Sequence, residues 1–95
     1  MDIVYASLRR KEPEDALPGE ARAVVEILWA HALPDEALQH ITARSESDRI
    51  HLLLYLLTPQ HTDGPSGAVD TAHALIARGH HNSPLLKSRY HPPVR

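Results

Sequence analysis

Eight histidines in 95 residues are the first chemistry this chain offers: His31, His40, His51, His61, His73, His80, His81 and His91. Imidazole can ligate zinc or copper, relay a proton, or change charge near neutral pH. A stable metal site wants three or four ligands on one surface. No spacing here makes a zinc-protease signature of the His-Glu-x-x-His kind. There is no cysteine, which removes disulfides, thiol catalysis and thiolate ligation. Each protonated histidine adds one charge, so titrating all eight would carry the formal charge from −2 to +6. Solubility or association is therefore expected to change between about pH 5.5 and 7.

Other catalytic patterns are missing. Ser7, Ser45, Ser47, Ser66, Ser83 and Ser88 lie in no nucleophile elbow. Gly64-Pro65-Ser66-Gly67 lacks the lysine of a phosphate cradle, and His61 and Asp63 beside it read as turn chemistry. His31, His80 and His81 fall where helices should end, and a cationic side chain there is favoured by the helix dipole.

These residues need elements to position them. Ile3–Leu8 is a short run of strand formers, and Glu12–Gly19, with Pro13 and Pro18, is a loop. From Glu20, apolar residues at Ala21, Val24, Val25, Leu28 and Ala32 recur at helical spacing, with Ile27 and Trp29 on the flanks, and Pro34 stops the helix. Leu38–Arg44 and Arg49–Leu57 read as a hairpin around Ser45-Glu46-Ser47-Asp48. Pro59 ends the second strand, and Thr58–Gly67 is a loop. Ala68, Ala72, Leu75, Ile76 and Gly79 predict a second helix, with Gly79 as its C-cap. Leu85–Tyr90 can add a short edge strand. The order β-α-β-β-α, with an optional last β, matches the ferredoxin-like split βαβ plan, an α+β fold with two helices on one face of an antiparallel sheet. One domain, 1–91, followed by a tail, 92–95, accommodates it.

Alternation assigns the faces of the hairpin. With Ser45–Asp48 as the loop, Arg44 pairs with Arg49, Thr42 with His51 and His40 with Leu53. Ile41, Ala43, Ile50, Leu52, Leu54 and Leu56 then form the covered core. The open face carries His40, Thr42, Arg44, Arg49, His51, Leu53, Tyr55 and Leu57. Its Leu53–Tyr55–Leu57 end is too apolar for a plain solvated surface. His40 and His51 become diagonal neighbours and the only metal candidates, with no acid or third histidine expected beside them.

The expected function is accordingly a small non-catalytic interaction or accessory domain, working through the open face as a homodimer or on another protein. The alternatives are a cofactor-less enzyme or ligand binder of the dimeric α+β barrel type, using Tyr5, Trp29, His40, His51 and Tyr55, and a weak histidine-based metal binder. No cofactor is expected. Nucleic acid is disfavoured by a slightly acidic chain without phenylalanine, although Tyr5, Tyr55, Arg44 and Arg49 occupy plausible positions. The cluster Arg9-Arg10-Lys11 runs into Glu12, Glu14 and Asp15 and reads as a mixed loop. No membrane segment or secretory leader is visible, so a cytoplasmic protein is expected. Eight arginines against two lysines suggest a bacterial source of high GC content.

Overall fold

The computed structural model describes residues 1–13, 18–57 and 64–94, with side chains in the last segment from residue 67. Three strands form one antiparallel sheet: β1 (Asp2–Arg9), β2 (Leu38–Ser45) and β3 (Arg49–Leu56), in the order β1-β3-β2. Three helices accompany them: α1 (Glu20–His31), α2 (Gly64–Asn82) and α3 (Pro84–Arg89). The chain is thus α+β. Because β1 and β2 both run antiparallel to β3, they are parallel to each other, and α1 carries the chain across the sheet between them. The described sheet has three strands, one fewer than the full split plan.

The most apolar strand takes the centre. Ile50, Leu52, Leu54 and Leu56 are at most 2% exposed, and each such side chain contributes roughly 1.5–3 kcal/mol on burial. Val4, Ala6 and Leu8 join them from β1, and Ile41 and Ala43 from β2. A bulge at Gln39 separates the Leu38–Leu56 pair from the His40–Tyr55 pair. It turns both Leu38 and Ile41 inward although they lie three apart. Val24 and Leu28 of α1 and Ala72, Leu75 and Ile76 of α2 close the core, α1 lying over β2 and α2 over β1.

Four sequence expectations change. The hairpin is tighter: Arg44 faces His51, Thr42 faces Leu53 and His40 faces Tyr55. Glu46 N–H donates to Arg49 O at 2.8 Å, leaving Ser47-Asp48 as a two-residue turn. This register is displaced by two residues, an even number, so every face assignment survives. Next, α2 starts at Gly64 and not at Ala68, taking Gly64–Gly67 into the helix. Gly79 lies inside α2, where a Cβ would stand 2.9 Å from Leu28 Cδ2; it permits close helix approach and caps nothing. The loop expectations over 14–17 and 58–63 fall outside the described residues.

The fourth change concerns the last strand. Leu85–Tyr90 is mostly the short helix α3, started by Pro84 after Ser83, whose hydroxyl accepts from Leu86 N–H at 3.3 Å. Only one rung of a strand forms afterwards. Tyr90 bridges Arg10, with Lys11 N–H to Arg89 O at 2.9 Å and His91 N–H to Arg9 O at 2.8 Å. Pro92 and Pro93 have no N–H to continue the ladder. A groove of about 310 Å³ remains between β1 and α2, with Val4, Ala6, Ala72 and Ile76 in its wall.

Candidate functional site

The sheet face away from the helices is built by the odd residues of β1, the even residues of β2 after its bulge and the odd residues of β3. The register arranges them in cross-strand rows: Ile3, Tyr55 and His40; Tyr5, Leu53 and Thr42; Ser7, His51 and Arg44; Arg9 and Arg49. Glu46 extends the last row, opposite Arg49. One end is therefore aliphatic and aromatic, and the hairpin end is charged. Ile3 is 59% exposed, Tyr5 58% and Leu57 54%, while Leu53 and Tyr55 are half-buried. No segment among the described residues crosses this strip. Leu86 and Tyr90 go into the core, and His91, Pro92 and Val94 flank the face beside Ser7, Arg9 and Arg49.

A hydrogen-bonded series runs diagonally over the polar half. The Tyr5 hydroxyl lies 2.5 Å from His51 Nδ1, His51 Nε2 lies 2.9 Å from Glu46 Oε1, and Arg44 donates to the same oxygen at 3.0 Å. A neutral imidazole protonated on Nε2 satisfies this pattern, accepting from the phenol and donating to the carboxylate. Arg49 donates to Asp48 at 3.1 Å, and that bond holds the Asp48 carboxyl below its ordinary 3.8. At the apolar end, the His40 and Tyr55 rings lie 5.4 Å apart. A depression of about 340 Å³ opens beside the series, lined by Tyr5, Thr42, Ala43, Arg44, His51 and Leu53.

Seven of the eight sequence-predicted face residues share this side of the sheet, with Tyr5 and Ile3 added from β1, and Leu57 is exposed just past the end of β3. The metal pair fails. His51 sits opposite Arg44 and His40 opposite Tyr55, four residues along β3, which is about 13 Å. Among the described residues no three metal-ligating side chains gather anywhere. The proposed enzyme set is divided as well, since Trp29 belongs to α1 on the covered side. Glu46 is the face residue that the sequence hides, because its position reads as part of the turn. Extending the alternation of His40, Thr42 and Arg44 by two residues would have placed it on the open face.

A second polar cluster lies in the core. Glu20, Arg10 and Tyr90 are 6%, 3% and 0% exposed. Arg10 Nη1 lies 2.6 Å from Glu20 Oε1, the Tyr90 hydroxyl donates to the same oxygen, and the Arg10 guanidinium lies 5.6 Å from the Tyr90 ring centroid. Arg10 Nε also donates to Glu46 O at 2.8 Å, and His80 Nε2 meets Tyr90 O at 2.9 Å. Burial raises the Tyr90 hydroxyl above its ordinary 10.0, as do its bond to Glu20 and that carboxylate's charge. This cluster fastens the C-terminal segment to β1 and α1.

The fold and face define the class, a small α+β chain with a three-stranded antiparallel sheet, helices on one face and no described residue crossing the other. Comparison with known proteins adds no relative: no family model, curated protein or solved structure matches the chain.

Proposed function

We propose that this chain is a small association module, a ferredoxin-like plan shortened to three strands, that pairs with a second copy through its open sheet face. One observation carries this reading: a contiguous strip of Ile3, Tyr5, Leu53, Tyr55 and Leu57 that no described residue covers. Burying such a strip against a like surface removes apolar area from water, and sheets stacked about 10 Å apart interdigitate their side chains. The polar rows at the hairpin end supply a rim. Light scattering coupled to size exclusion tests it. The wild type should show about twice the mass of the 10.6 kDa chain, and Leu53→Asp should return it to one copy with unchanged far-ultraviolet dichroism. A wild type that stays monomeric at every accessible concentration rejects the reading.

A ligand-binding or cofactor-less enzymatic role is the second reading, favoured by the Tyr5–His51–Glu46 series beside the depression. Arg44 would meet an anionic group, Leu53 an apolar body, and His51 would exchange a proton with Glu46 behind it. Saturable binding of an aromatic carboxylate, lost in both His51→Ala and Arg44→Ala, would support it.

A further inference from the structure

The charge pattern of the open face carries an orientation. Resting on the open-face pairing above, we propose that two copies pack about a two-fold axis running along β3. The Arg9 guanidinium of each copy then meets the Glu46 carboxylate of the other.

Two in-plane axes can bring a three-stranded sheet face to face with its copy. An axis across the strands reverses their ends while leaving each strand over its own copy, setting Ile3 over Ser7 and Tyr55 over His51 and bringing Leu57 toward Arg49. Apolar side chains would then cover charged ones, and burying charge without a partner is costly. An axis along β3 keeps like ends together. Tyr55 meets Tyr55, Leu53 meets Leu53, and Tyr5 lies over Thr42 of the second copy.

The same axis exchanges β1 with β2, which matters for the charged row. That row reads Arg9, Arg49, Glu46 from one edge to the other. Arg9 stands directly opposite Arg49, an unfavourable like-charge pair on one sheet face. Arg49 has Asp48, whereas Arg9 has no carboxylate within ion-pair distance among the described residues. Glu46 is 45% exposed at its side chain and keeps room for another donor beyond Arg44 and His51. The exchange sets Arg9 over Glu46 twice, once on each side of the axis. Aligned sheets cross within about 30° at about 10 Å, a gap that an arginine and a glutamate span between them. This charge complementarity selects a second copy as the occupant of the face.

Mixing charge-reversal variants tests the arrangement. Arg9→Glu alone and Glu46→Arg alone should each weaken self-association by at least about tenfold, because each sets like charges together. An equimolar mixture should recover the wild-type affinity, because both cross-copy pairs become complementary again. The chain has no cysteine, so Tyr55→Cys gives a second readout: a short bifunctional thiol reagent, which spans the gap that a direct disulfide cannot, should join two copies into a cross-linked dimer. If Leu53→Asp abolishes the dimer while mixing restores nothing and Tyr55→Cys does not cross-link, the orientation is wrong and the open-face interface stands. If the wild type is monomeric, both fall.

Discussion

The hydroxyl of Tyr90 donates a hydrogen bond to the carboxylate of Glu20, a residue 70 positions earlier in the chain, inside the core. Arg10 reaches the same oxygen from the end of β1. Three segments distant in sequence thus meet at one buried anion, which orders the C-terminal residues although they form only one rung of sheet. Removing the anion alone should be costly, because the buried Arg10 and Tyr90 would both lose the charged oxygen they share. Glu20→Gln should lower unfolding stability by about 3–5 kcal/mol in urea titrations. The Glu20→Gln, Arg10→Met double variant should recover part of that loss.

Alkaline pH should act through Tyr90. Its folded value is raised by burial first and by Glu20 second, so the stabilisation is complete below about pH 10 and falls as pH rises beyond it. Thermal unfolding followed between pH 9 and 11 should show a falling midpoint in the wild type, with a smaller fall in Tyr90→Phe.

Acid should act through Glu36. Burial raises its carboxyl, but two hydrogen bonds from Arg78, one from Leu33 N–H and the Arg78 charge outweigh this and lower it overall. A lowered value stabilises above the ordinary 4.5, and the benefit is lost as pH falls through the folded value. Glu36→Gln should cost about 1–2 kcal/mol at neutral pH, allowing for the partial exposure of Arg78. Its stability should be flatter below pH 4.5 than that of the wild type.

Neighbouring leucines of β3 should separate folding from association. Leu52 is fully buried under the helices, so Leu52→Ala should cost about 2–5 kcal/mol of stability and leave the dimer affinity of the folded fraction unchanged. Leu53 points the other way, and Leu53→Asp should shift the association constant with little change in the denaturation midpoint. Paired denaturation and dilution series measure both.

The faces of the sheet were legible in the sequence because alternation is a parity rule. Displacing the pairing by two residues changed every partner and no face. His40 and His51 moved out of reach of each other, yet both stayed on the open side. Local patterns also located α1 and its stop before Pro34. Long-range contacts were not legible. Glu20 reads as an exposed first-turn acid until Arg10 and Tyr90 arrive from opposite ends of the chain. Gly79 reads as a terminator until Leu28 of α1 is seen pressing on it. In Leu85–Arg89 the Ser83-Pro84 start selects a helical turn over a strand.

The two prolines beside Ser7 bear on how far assembly can proceed. An uncovered sheet edge is a template on which further strands can stack without limit, the geometry of fibres. At the β1 edge an incoming strand would meet Pro92 and Pro93, which donate no hydrogen bond. A two-fold contact through the face closes on itself, whereas growth along the edge does not. By blunting that edge, the tail would favour the proposed closed pair over open-ended polymerisation.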